Sequence, residues 1–200
     1  MIKSKADLYY YLESDLKNMG GQKHSYGVKE WLYGLLYPNY ILHFLILLRK
    51  YEYWLNVGRF TGVLGKIQYE YYKYRFTKLS LKLGFTIYPN SFGPGLSIAH
   101  YGTIIVNPNA KIGANCRLHC GVNIGASAGN PEAPKIGDNV YIGPGAILFG
   151  NIEIGDNITI GANATVNKDC LKPNVVLAGT PAKIVKDNMD NWLVFNKIMS

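Results

Sequence analysis

An aliphatic residue returns at every sixth position through much of the second half of the chain. The series runs Val106, Ile112, Leu118, Ile124, then Ile136, Ile142, Leu148, Ile154, Ile160 and Val166. Glycine follows the aliphatic at Gly113, Gly125, Gly137, Gly143, Gly155 and Gly161. Four positions after the aliphatic comes a small or branched residue, as at Ala110, Cys116, Val122, Val140, Ala146, Ile158 and Ala164. A helix repeats at about 3.6 residues and a long strand at about 2.0, so neither produces this period. A short strand with one inward aliphatic, followed by a tight turn, does. The glycine, asparagine and aspartate residues supply the turn, because they tolerate backbone conformations closed to most others. Three such faces close a triangular coil, and stacked coils bond as parallel strands. The pattern predicts a mainly β fold, a left-handed parallel β-helix over residues 83–185.

One hexad fails. Position 130 is Asn130, followed by Pro131, where an aliphatic is due. Residues 126–134 (ASAGNPEAP) are therefore predicted to leave the wall as a loop, and solenoid insertions often gather on a binding face.

Residues 1–82 read as an α-helical N-terminal segment. Ser4 and Asp7 have the form of a helix cap, with Gly20-Gly21 as the stop. Further helices are predicted over 27–37, 39–56 and 60–82. Residues 186–200 read as a short helical tail, with Trp192, Leu193 and Phe195 against a neighbour.

Charge divides at the same place. The chain carries +8 overall. Residues 1–82 hold 13 Lys and Arg against 6 Asp and Glu, and 13 of the 16 tyrosines. A basic, tyrosine-rich segment suits an anionic membrane or a phosphate-bearing substrate, or serves only as a solvated face. The apolar run 40–48 is too short to cross a bilayer. With Arg49-Lys50 after it, that run is a candidate for lying on a membrane surface, the other reading being trimer packing. The start has no apolar region ending in a cleavage site, so a cytoplasmic protein is expected, with any membrane contact at the inner face. Cys116, Cys120 and Cys170 form no disulfide framework or zinc spacing, and Cys116 and Cys170 fall where small filler belongs.

The runs IGANCRLHCGVNIG, KIGDNVYIGPGAILFGNIEIGDNITIGANATV and AGTPAKIV resemble the hexapeptide-repeat acyltransferases. Within them the chain is most similar to the serine acetyltransferase branch, particularly its shorter members linked to surface-polysaccharide synthesis. The resemblance implies acetyl-CoA as co-substrate, a homotrimer, and a cofactor groove between neighbouring β-helices. It implies no metal and no nucleic acid. Such a reaction needs a general base for an acceptor hydroxyl, and a histidine near its ordinary pKa of about 6.5 is suited to that. His100, in GLSIAHYGTIIV, aligns with the family's catalytic histidine. His119 comes 19 residues later. A coil of three hexads spans 18 residues, so His119 is expected almost directly above His100 as a substrate contact, a partner or the base itself. His24 and His43 are assigned to core or interface.

Gly143, Gly145 and Ala162 match positions where family backbone groups meet the pantetheine arm. Lys168 and Lys183 are candidates for the phosphates of coenzyme A, or ordinary solvated lysines. The departures are specific. Thr86 stands where the family has an aspartate ahead of the histidine, and Ala99 where a second aspartate precedes it. Glu132 and Ala133 replace an Arg-His pair that helps hold serine. A site missing polar contacts for a small polar substrate binds it poorly. These departures favour a sugar hydroxyl as acceptor over L-serine, which is the alternative. The end Met199-Ser200 lacks the isoleucine that docks cysteine synthase, so that partner is not expected. Two other classes share the fold. A metal hydrase needs three converging histidines, and the β-helix holds two; a non-catalytic scaffold would use the wall only as a surface.

Overall fold

The computed structural model describes residues 1–20 and 39–194. The helix expected over 27–37, His24 and Phe195 lie outside the described residues. Fourteen short strands lie among them, and the ten from Ile104–Val106 to Thr165–Val166 carry the period-six pattern. One face stacks β1 (Phe85–Thr86), β3 (Ile104–Val106), β6 (Asn123–Gly125), β9 (Ile147–Phe149) and β12 (Thr165–Val166). A second stacks β4 (Lys111–Ile112), β7 (Lys135–Ile136) and β10 (Glu153–Ile154). The third stacks β2 (Ser97–Ile98), β5 (Arg117–Leu118), β8 (Tyr141–Ile142), β11 (Thr159–Ile160) and β13 (Val176–Gly179). Every predicted inward aliphatic is buried. The turns between the second and third faces hold Asn115, Asn139 and Asn157 at φ 56°, 60° and 57°. Their side-chain amides bond from coil to coil at 2.9 Å. This ladder is the repeat's own device for holding a left-handed residue that asparagine tolerates better than most.

The register explains why the phase survived the loop. The regular coils advance 18 residues, as Ile105 to Asn123 or Thr159 from Tyr141. Across the loop Asn123 pairs with Ile147 and Lys111 with Lys135, an advance of 24. The insertion is thus one hexad long. The loop turns on Asn130 N–H donating to Ser127 O, and Asn109 Nδ2 pins it by donating to Pro131 O.

Helix α1 (Lys5–Asn18) starts where expected, with Asp7 N–H donating to Ser4 Oγ. Helix α2 (Tyr40–Asn56) is capped by Asn39. Helix α3 (Val63–Leu83) begins later than the expected 60, because a 3-10 turn (Gly58–Phe60) and Gly62 at φ 90° interrupt the chain. The expected membrane-lying run is not available on α2. Ile41, Phe44, Leu45 and Leu48 are buried with Phe85, Phe92 and Leu96 against the first coil. Arg49, read as its basic flank, is fully buried. Its guanidinium donates to both carboxylate oxygens of Asp15 (2.8 and 3.2 Å), to Glu52 (3.0 Å) and to the carbonyls of Phe92 and Gly93. Asp15 also accepts from the N–H groups of Gly95 and Leu96. This cluster bolts α1 and α2 to the turn that precedes β2. Burial works against the Arg49 charge, but Glu52 and Asp15 outweigh it and push its pKa above the ordinary value. His43 is exposed on α2 rather than placed in the core.

At the far end β13 turns back into β14 (Ala182–Lys186), the one antiparallel pair among the described strands. The sequence pattern held no sign of it, since AGTPAK marks only where coiling stops. The tail also differs from expectation: Trp192 packs on its own β-helix, buried, with Nε1–H donating to Asn115 O at 2.9 Å.

Candidate active site

His100 and His119 come together, although not by the expected route. On this face Ser97 pairs with Arg117 and Ile98 with Leu118, an advance of 20. Two residues are gained in the bend after β2, where Gly102 sits at φ 122°. His119 is therefore level with Ala99, and its neighbour Ala99 N–H donates to Leu118 O. His100 lies one residue further, on the bend, exposed. The rings still approach to 5.6 Å between centroids, tilted by 60°.

The next coil adds Tyr141, whose ring lies 5.0 Å from that of His119. His119 is half-buried between the two, and its Nε2 is enclosed without a hydrogen-bond partner. Burial first, then the charges of Arg117 and His100, hold the His119 imidazole below its ordinary pKa. It is therefore neutral at pH 7 and adds no cation beside His100. Arg117 itself is fixed by Ser97 Oγ at 3.2 Å and lies over the Trp192 ring. Tyr141 and Arg117 escaped the sequence reading. Their signal was available: each immediately precedes an inward aliphatic on the same face, so each must point outward in one column.

Gly143 is level with His119, whose N–H donates to Ile142 O. Gly161 and Ala178 continue the same line, through Gly143 N–H to Ile160 O and Gly161 N–H to Leu177 O. A strip without side chains beyond Cβ thus leads away from the histidines. Gly161 reads only as a turn glycine after the aliphatic, and Ala178 lies beyond Val166, where the hexad series ends. A Cβ at Gly143 would come within 2.9 Å of Ala162 N and Ile160 O, so the coils themselves require glycine there. Gly145, at φ 70°, stacks on Gly121 and donates its N–H to Cys120 O. The N–H groups of His119, Gly143 and Gly145 are thus committed to neighbouring coils and are not free for an oxyanion. Ala162 is exposed beside the strip. Lys183 pairs with Ala178 and stands at the strip's end. Lys168 lies a face away, on the turn between β12 and the bridge at Cys170.

The four departures are also placed. Thr86 is exposed on β1, and Ala99 sits beside His119. Glu132 is exposed on the loop, whereas Ala133 is buried in the core and cannot touch a substrate. Among the described residues no group of three or more His, Cys, Asp or Glu could hold a metal ion. None of their helices is long and apolar enough to cross a membrane.

Residues 133–168 match the family model for bacterial transferase hexapeptide (six repeats). The chain is 34% identical over 105 residues to the serine acetyltransferase of Mycobacterium tuberculosis, covering 51% of this chain and 45% of that one. It is 32% identical over 163 residues to the serine acetyltransferase of Buchnera aphidicola, covering 80% and 58%. Among solved structures it resembles the serine acetyltransferase of Neisseria gonorrhoeae in complex with serine. That likeness has a TM-score of 0.67 and 31% identity, over 92% of this chain and 71% of that one. The chain spans about half the length of the curated relatives it matches. Nothing in these likenesses carries the expected association with surface-polysaccharide synthesis.

Proposed function

The chain belongs to the hexapeptide-repeat transferase family, and from that premise we propose that it is an acetyl-CoA-dependent O-acetyltransferase acting on a small hydroxyl acceptor. The observation that carries this reading is the pairing of two histidines at the head of a bare strip on the coil wall. His100 serves as general base: exposed, it can reach an acceptor hydroxyl and take its proton as the oxygen attacks the thioester carbonyl. His119, kept neutral by burial and by Arg117, packs beside it without competing for the proton. The tetrahedral intermediate then expels the coenzyme A sulfur, which takes the proton back from His100 and leaves as the thiol. Gly143, Gly161 and Ala178 give the pantetheine arm a flat path, with Gly145 and Ala162 beside it. Lys183 at the strip's end takes a phosphate, with Lys168 the weaker candidate. One β-helix offers only one wall, so a trimer would complete the groove.

L-serine is the acceptor that the relatives favour, over the sugar hydroxyl that the missing contacts suggested. Arg117, whose field reaches His119, is the candidate partner for its carboxylate. The sugar reading keeps one specific support, the loss of charged contacts at Thr86, Ala99, Glu132 and Ala133. Coenzyme A release measured with L-serine and with a panel of sugars separates the two. Saturable turnover of L-serine supports the first reading, and turnover of a sugar alone supports the second. No release with any acceptor would refute the transferase assignment.

A further inference from the structure

Helix α3 is apolar on two opposite sides. Gly65, Phe76, Ser80 and Leu83 are buried on the side that meets α2 and the first coil. At 100° per residue, the opposite side carries Val63, Leu64, Ile67, Tyr71, Tyr74 and Leu81. These six are between 47% and 79% exposed, on a helix about 30 Å long. Phe60, 70% exposed in the preceding turn, extends the line. Lys78 falls in the same row between Tyr74 and Leu81, so the unbroken apolar part runs from Val63 to Tyr74, and an exposed apolar row of this kind marks an interaction surface.

The charges around the stripe identify the partner. Lys66, Lys73, Arg75, Lys78 and Lys82 stand on the same helix against a single acid, Glu70. Lys78 lies over Tyr74 and Arg75 over Tyr71, at 5.0 and 5.7 Å from the ring centroids. Long basic side chains folded along aromatic rings suit a surface that is apolar inside and anionic at its edge. Two copies packed through this stripe would instead bring both sets of cations together. We infer that the outer face of α3 docks the protein flat on an anionic lipid bilayer, the stripe entering the headgroup region and the basic residues meeting lipid phosphates. The contact is thus made by α3, not by the run 40–48, whose apolar side is spent on the core. The inference stands independently of the transferase reading, because none of these residues belongs to the histidine site.

Co-sedimentation of the full chain with phosphatidylcholine vesicles, with and without phosphatidylglycerol, tests it. Binding is expected to the anionic vesicles only, and to fall as salt rises. Reversing one charge with Lys78→Glu should weaken it about thirtyfold, from roughly a fivefold effect per charge unit at the surface. Leu64→Glu with Ile67→Glu should abolish it while coenzyme A release is unchanged. No binding to anionic vesicles would overturn the inference, as would binding that both variants leave intact. A fall in sedimenting mass on Leu64→Glu with Ile67→Glu would also overturn it, by assigning the face to a second copy of the chain.

Discussion

Replacing Arg49 by methionine tests how the helical segment is held to the β-helix. The substitution keeps the length and apolar stem of the side chain but removes its charge and every donor. Asp15 and Glu52 would then face each other's surroundings without the cation between them, and the carbonyls of Phe92 and Gly93 would lose their donor. Breaking a buried pair from one side costs about 3–5 kcal/mol, because the partner charge stays buried. The lower end is expected here. Asp15 keeps the N–H groups of Gly95 and Leu96, and Glu52 keeps that of Asn90. Adding Glu52→Gln in the methionine background removes one stranded charge, so the double variant should be more stable than the two single losses added together. A coupling of about 1–3 kcal/mol is expected for groups in one network. Urea denaturation followed by helical circular dichroism, at fixed protein concentration, reads both numbers. A loss under about 1 kcal/mol for Arg49→Met, or strict additivity of the pair, would refute the network as the anchor.

Other consequences follow from the site and the ladder. His119 has a folded-state pKa below its ordinary value, so the unfolded chain binds the proton first and stability falls as pH drops through about 6.5. His119→Gln should remove that part of the acid sensitivity, and an NMR titration should place the wild-type His119 midpoint below 6.5. At Gly161 a Cβ would meet the Cβ of Ala178 at 3.3 Å, a tight but adjustable contact. Gly161→Leu should therefore fold yet raise the KM for acetyl-CoA about tenfold or more, since losing close backbone approach costs over about 1.4 kcal/mol. Asn139→Gly should lose about 1–2 kcal/mol from two side-chain bonds. Asn139→Ala should lose about 1 kcal/mol more, from its left-handed backbone; equal losses would contradict the role given to φ.

The β-helix was legible because its cause is local. Each hexad needs one inward aliphatic and one permissive turn, and the six-residue length of the insertion left the phase from Val106 to Val166 intact. The enlarged coil between Ile98 and Val106 was not legible, because Ile104, Ile105 and Val106 offer the phase three choices. That is why His119 was expected one residue past the level of His100 and instead lies one residue short of it, level with Ala99, although the rings are still in contact. Arg49 misled for a different reason. After an apolar run it reads as a membrane flank, and its partners Asp15, Glu52 and the backbone of 92–96 meet only in three dimensions. The exposed side of α3 was hidden similarly. Its two apolar faces cancel in any one-faced helical pattern, so only burial separates them. Of the site, the histidines were readable from spacing and resemblance, whereas Tyr141 and Arg117 needed the register.

The most direct test is acetyl transfer by wild type and His100→Ala, with coenzyme A release and acetylated L-serine measured in the same reactions. Serine-dependent release is expected, with a fall in kcat of about a hundredfold or more in the variant, the usual contribution of a positioned base. Transfer that continues at the wild-type rate without His100 would contradict the assignment of the base, and with it the site described here.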